Sequence, residues 1–206
     1  MRIRVAHVAV VLAALCCWSA YASPAPTVTL TLIPADGSVS GFAGQTVGWG
    51  YFSITNDTSF FLLINNSYFC GPGGDPNSTD CTTNPFGPAF GVYTDYIASF
   101  TPFTEVPPFS TIGPSFFSPG TPGTANGVGE YKINLGTPIG SVDTGTIFIT
   151  FDEYSGDPFD GGDYAGSDQI SATASVTVVP TPEPATFLLV GGALLALAGL
   201  RRSQKL

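Results

Sequence analysis

The chain has 206 residues, with fifteen acidic against six basic side chains and a single histidine, for a formal net charge of −9. The basic residues sit at the two ends, so residues 23–179 hold only Lys132 against fourteen acids, a formal charge of −13. Such a segment repels nucleic acid and anionic lipid, and without histidine or arginine it lacks the pairings of serine triads and histidine-held zinc hydrolysis.

At the N-terminus Arg2 and Arg4 precede a largely apolar run over 8–18, and Ala20, Tyr21 and Ala22 supply an A-x-A cleavage pattern before Ser23. This is the pattern of a secretory signal helix over 1–22, cut between Ala22 and Ser23. Cys16 and Cys17 raise the alternative of a lipoprotein, but lipidation is not expected, because Leu15 stands where such signals want a small residue. The one histidine, His7, leaves with the signal.

From residue 23 the Gly and Pro content would suit a disordered chain, but abundant Phe, Tyr, Ile and Val are enough to bury a core. Val28, Leu30 and Leu32 alternate with Thr27, Thr29 and Thr31, a period of two that predicts a strand with one buried face. Ala35, Asp36 and Gly37 turn it. Residues 46–56 are aromatic and β-branched, with Gly48 and Gly50 leaving room for a neighbour beside Trp49. A more fully buried strand is predicted over 59–67, and the short gap at Asn56, Asp57 and Thr58 predicts an antiparallel hairpin between the two.

Cys70 and Cys81 bracket a Gly- and Pro-rich loop, and in an oxidising compartment they are expected to form a disulfide. With no histidine or third thiol nearby, a metal pair is not expected. Eight prolines then punctuate 84–126, leaving apolar bursts at 95–103 and 115–118 that read as short edge strands between wide loops. Regular alternation returns at 128–135, where Gly129, Tyr131, Ile133 and Leu135 share a face. It continues at 145–154 and at 170–179, where Ile170, Ala172, Ala174, Val176 and Val178 take one side. About seven to nine short strands without a helix predict an all-β domain over 23–179, an antiparallel β-sandwich of Ig-like or jelly-roll-like type.

The site candidates lie mainly between residues 152 and 168. Asp152, Glu153, Asp157, Asp160 and Asp163 supply the hard carboxylate oxygens that calcium coordination uses, although their spacing fits neither an EF-hand nor a glycine-rich nonapeptide repeat. A hairpin loop of solvated aspartates turning at Pro158, Gly161 and Gly162 is the alternative. A carboxylate pair for glycoside hydrolysis would have to come from Glu105, Glu130, Asp152 and Glu153, and nothing in the spacing sets two of them across a cleft. No enzyme is expected. Trp49, Tyr51 and Phe52 are either core or a surface for stacking on sugars. Asn56, Asn65 and Asn77 stand in N-x-S/T sequons, which arise easily by chance in a chain this rich in Asn, Ser and Thr. No repeat supplies the flat Thr-rich face that ice binding needs.

The chain ends in three physical parts. Pro180, Pro182 and Pro184 hold the backbone extended. An uncharged run over 185–200 can satisfy its backbone in lipid only as a helix. Arg201, Arg202 and Lys205 follow it and by the positive-inside rule keep the C-terminus in the cytoplasm. The run falls short of the roughly 20 residues of an ordinary span, as a transient anchor would.

The order Pro182, Glu183, Pro184, apolar helix, Arg201 and Arg202 resembles the PEP-CTERM protein-sorting signal over 180–206. That resemblance implies an exported Gram-negative bacterial protein whose tail is recognised and cut by an exosortase, beside exopolysaccharide production. Tails of this kind are also described as the C-terminal domain of ice-binding proteins, a label that belongs to the tail and not to the domain before it. Gly48, Trp49, Gly50 and Tyr51 with Ile54, Thr55 and Asn56, together with Asp157, Pro158, Gly161 and Gly162, resemble uncharacterised secreted β-sandwich proteins with the same tail. The loop from Cys70 to Cys81 departs from that pattern. The resulting expectation is a cell-surface or matrix protein, structural or adhesive, with membrane, exosortase and exopolysaccharide as partners and no nucleic acid. The alternative is a calcium-dependent carbohydrate-binding module, with calcium as the sole candidate cofactor.

Overall fold

Period-two alternation in the sequence becomes ten strands in a computed structural model that describes residues 27–74, 81, 85–99, 104–120 and 126–181. They are β1 (Val28–Ile33), β2 (Ser38–Gly41), β3 (Thr46–Asn56), β4 (Phe61–Cys70), β5 (Gly91–Asp95), β6 (Thr104–Val106), β7 (Ser110–Ile112), β8 (Gly129–Ile133), β9 (Val142–Tyr154) and β10 (Tyr164–Val178). The signal helix, the Ala22–Ser23 cleavage site, Pro182, Glu183, Pro184, the apolar run 185–200 and Arg201 and Arg202 lie outside the described residues. Among the described residues no helix is long and apolar enough to cross a membrane.

The strands form two five-stranded sheets. One runs β1-β3-β8-β5, with β7 also on β3, and the other runs β2-β10-β9-β4-β6. Their inner faces share one core: Leu32, Val47, Trp49, Ile54, Tyr131 and Ile133 from the first meet Leu62, Ile64, Phe69, Ile147, Ile149, Phe151 and Val176 from the second. A register shift between Ile64 and Asn66 makes Asn65 an extra residue in β4. That bulge changes the parity of the strand, so Leu62 and Ile64 point inward before it and Ser67 and Phe69 after it. Trp49 is fully buried and stacks on Phe69 at 5.7 Å between ring centres. A side chain at Gly48 would run into Phe117 and the Gly129 carbonyl, which accounts for the glycine beside the indole.

The all-β expectation holds, but the sheet arrangement is mixed rather than purely antiparallel, since β2 runs parallel to β10. The cause is a change of sheet after β1. Gly37, with φ of +67°, turns the chain so tightly that an added Cβ would lie 2.0 Å from the Thr173 carbonyl oxygen. The Gly37 carbonyl accepts both the Trp49 indole N–H and the Ser175 amide, and so delivers β2 alongside β10.

The predicted hairpin at Asn56, Asp57 and Thr58 is also corrected. β3 and β4 belong to different sheets and do not pair, so the turn is a corner between sheets. The burst at 95–103 is not a strand where it is described. Asp95 ends β5, and its carboxylate accepts the amides of Ile97 and Ala98 at the start of a 3-10 turn, Ile97–Ser99. Leu135, expected on the face of Tyr131 and Ile133, lies beyond β8 and is 87% exposed.

Candidate functional site

The acidic loop joins β9 to β10, the longest antiparallel pair in the fold. Within it Asp157 acts on its own backbone. Its Oδ1 accepts the Phe159 amide at 2.8 Å, while its carbonyl accepts the amides of Asp160 and Gly162. The Ser155 amide closes the loop on the Asp163 carbonyl at 2.9 Å. Asp152 takes the Ser167 hydroxyl across the strands. Glu153 follows it directly in β9, so the two side chains leave opposite faces of the sheet. The structure adds one acid that the spacing did not bring here. Glu105 on β6 has its pKa raised by partial burial and then by the negative charges of Asp157 and Asp160. Among the described residues no three His, Cys, Asp or Glu side chains gather as a metal-holding group.

The other carboxylates are dispersed. Leu63 of β4 separates Glu105 from Asp152 in the strand register. Glu130, on β8 in the other sheet, accepts the Tyr96 hydroxyl, and burial followed by that contact pushes the Tyr96 phenol up to about 12. Two acids lie between the sheets. Asp143, nearly fully buried, accepts the Tyr131 hydroxyl at 2.6 Å and the Ala89 amide at 2.7 Å. Burial and then this carboxylate raise the Tyr131 pKa.

Asp95 lies 2.6 Å from the Ser67 hydroxyl, which also lies 2.8 Å from the Tyr93 hydroxyl and 2.9 Å from the Val128 carbonyl. Burial raises the Asp95 pKa, against the hydrogen bonds from Ser67, Ile97 and Ala98 that lower it.

Cys70 and Cys81 form the expected disulfide, with 4.6 Å between Cα atoms. Beside it Tyr68, Tyr93, Val92 and Pro88 wall a hollow of about 290 Å³. The sequons are structural where they are described. Asn56 is fully buried and its amide serves three carbonyls. Ser67, the third residue of the Asn65 sequon, is spent between the sheets, and Asn77 lies outside the described residues. Trp49 is core and Tyr51 is half-buried. Phe52 is the extra residue of a bulge in β3 and is 62% exposed.

The outer face of the β10-β9-β4 sheet escaped the sequence reading. Because Ile147, Ile149 and Phe151 point inward, Phe148, Thr150 and Asp152 point outward. Across the strands Phe148 sits opposite Tyr68 and Ser171, and Thr150 opposite Asn66 and Gln169. The Gln169 Oε1 is buried without a hydrogen-bond partner. Reading residues 145–154 for their outward positions as well as their inward ones would have located Phe148 and Thr150.

These features define an all-β protein body whose last strand leads directly into a targeting sequence. Residues 180–203 match the family described as the PEP-CTERM protein-sorting motif, beginning two residues after β10 ends at Val178. The motif implies an exported protein processed by an exosortase, with a membrane-associated tail and a cell-surface or extracellular destination. No curated protein and no solved structure matches the chain.

Proposed function

We propose that the chain is a structural or adhesive protein of the cell surface or extracellular matrix, working beside exopolysaccharide, with a β-sandwich body moored for a time by its C-terminal helix. The observation that carries this reading is the sorting motif at 180–203, set immediately after the strand that completes the body. In this scheme residues 1–22 direct export and are removed between Ala22 and Ser23. The helix over 185–200 halts in the membrane with Arg201 and Arg202 on the cytoplasmic side, and cleavage at the tail frees the body. The disulfide between Cys70 and Cys81 supports passage through an oxidising compartment.

Fractionation of the producing cell with intact-mass measurement tests the scheme. The expected product is extracytoplasmic, begins at Ser23, lacks the apolar run 185–200 and the basic residues after it, and contains the disulfide. Deleting the exosortase should leave a longer, membrane-held form. Full-length chain in the cytosol, with both ends intact and both cysteines reduced, would overturn the reading.

A further inference from the structure

We propose that the outer face of the β10-β9-β4 sheet is a platform for a neutral polysaccharide, with Phe148 and Tyr68 as ring contacts and Asn66, Thr150, Gln169 and Ser171 as hydrogen-bonding groups. The assignment rests on the reading of the chain as an exported surface protein, since only outside the cell does the face meet such a ligand.

Charge supplies the first reason. The body between residues 23 and 179 carries a formal charge of −13, yet the rows Thr146–Thr173, Tyr68–Phe148–Ser171 and Asn66–Thr150–Gln169 are uncharged. The next row holds Asp152 and Glu105 on either side of Leu63, and Asp168 lies beside Gln169. These acids repel an anionic glycan while leaving a neutral one unaffected. Lys132, the only base of the body, is on β8 in the other sheet and cannot recruit an anion to this face.

The second reason is the Gln169 Oε1. It is a buried acceptor without a donor among the described residues, and it adjoins a hollow of about 220 Å³ lined by Thr150, Ser167 and Asp168. A buried acceptor left unpaired is costly, and turning the Gln169 side chain into the adjoining hollow would present it to a sugar hydroxyl.

Composition separates a glycan from a protein partner. Protein interfaces are apolar and aromatic at their centre, whereas the large exposed apolar side chains Phe52, Phe109, Phe116 and Leu135 belong to other segments, and those on this sheet, Val142 and Tyr164, stand at the ends of β9 and β10. The platform instead sets two half-buried rings among hydroxyls and amides. That mixture suits a ligand with C–H faces and hydroxyl edges.

The test uses the full-length chain in detergent, depleted from solution by cellulose, chitin, curdlan and the neutral polysaccharide fraction of the producing cell, with alginate and pectate as anionic probes. Retention is expected on at least one neutral polymer and on neither anionic one. Phe148→Ala and Tyr68→Ala should each weaken it about tenfold, the scale of one ring contact. Ser171→Arg and Gln169→Glu, outward changes that leave the core untouched, should weaken it as well, while Leu135→Ser on a distant turn should not. The proposal is overturned by no retention on any neutral polymer, by retention on the anionic ones, by indifference to Phe148→Ala, Tyr68→Ala and Ser171→Arg, or by self-association through this face in place of glycan binding. A correctly exported and clipped protein that ignores every polysaccharide would overturn this proposal alone. Unprocessed chain in the cytosol would overturn the function on which it rests.

Discussion

Asn56→Asp tests the corner that turns the chain from one sheet to the other. The Asn56 amide nitrogen donates to the carbonyls of Phe60 at 2.8 Å, Pro107 at 2.9 Å and Val106 at 3.2 Å, while its Oδ1 accepts the amide and hydroxyl of Thr58 at 3.0 and 2.7 Å. One side chain therefore joins the end of β3, the entry to β4 and the link from β6 to β7. Aspartate keeps the acceptor, removes the donors and sets a carboxylate against three carbonyl oxygens in a fully buried place. The amide has two hydrogens to share among these three carbonyls, so two lost hydrogen bonds at about 1 kcal/mol each, plus the burial of an unpaired charge or the work of protonating it, give a loss of roughly 3–5 kcal/mol. For a domain of this size that corresponds to a fall in Tm of about 8–15 °C. The variant carboxyl would titrate above its unfolded value, so its penalty should shrink as pH is lowered from about 7 to about 4. Asn56→Ala, which loses the two Thr58 bonds as well but adds no charge, should show a deficit of about 3 kcal/mol that does not change with pH. Urea and thermal melts of the three proteins at both pH values measure this. An Asp variant within about 3 °C of the parent, or a gap independent of pH, would refute the assigned role of Asn56.

Three further outcomes are expected. Cys70→Ser combined with Cys81→Ser should cost about 3 kcal/mol in denaturant melts, the chain-entropy value for cysteines separated by 11 residues, and a loss below about 1 kcal/mol would show that the link does not constrain the unfolded chain. Burial holds the Asp95 carboxyl above its ordinary range, so its contribution to stability is complete below about pH 4 and is lost as pH rises through the folded value; Asp95→Asn should remove that part of the slope of stability against pH, and parallel slopes for the two proteins would count against it. Because Asp157 is committed to its own loop and no acidic trio converges among the described residues, millimolar calcium should leave Tm unchanged, whereas a rise of several degrees would mean that the carboxylates regroup around an ion.

What the sequence made legible was alternation. Ile170, Ala172, Ala174, Val176 and Val178 could be assigned to one face from their spacing, and that face is the one packed on the core. Pairing was less legible, because it depends on contacts between residues far apart in the chain. A three-residue gap between two strands resembles a hairpin, and the buried amide that turns Asn56 into a corner is satisfied by Val106 and Pro107, some fifty positions away. The β2 strand was missed for a related reason. Ser38–Gly41 has little β-propensity of its own, and its place is fixed by Gly37 and by parallel pairing with the far end of β10. The acidic loop was visible as composition, but its geometry is not. The carbonyl of Asp157 and the Oδ1 of its side chain organise the turn, and Glu105 joins from a strand in the proline-punctuated stretch that carried little pattern.

The direction of β10 connects these features. It runs from the acidic loop to the sorting motif over 15 residues, and at about 3.3 Å per residue its ends are roughly 45 Å apart. Under the proposed mooring, Val178 is the end nearest the membrane and Asp157, Asp160 and Glu105 are the end furthest from it. An anionic lipid surface acts over a Debye length of about 8–10 Å, so these three acids stand well beyond its reach, while Asp143, opposite Val176 near the other end, is buried. The near end is held from both sides. Val178 exchanges hydrogen bonds with Ser141 and Gly140, and the Val179 amide donates to Gly41 on β2. Force applied through the tail therefore reaches β10 in shear against β9 along a register of thirteen paired positions, from Tyr164 to Thr177, rather than peeling the strand one bond at a time. A short parallel partner that looks irregular within the sheet thus acts as a clamp at the point where a mooring would load it.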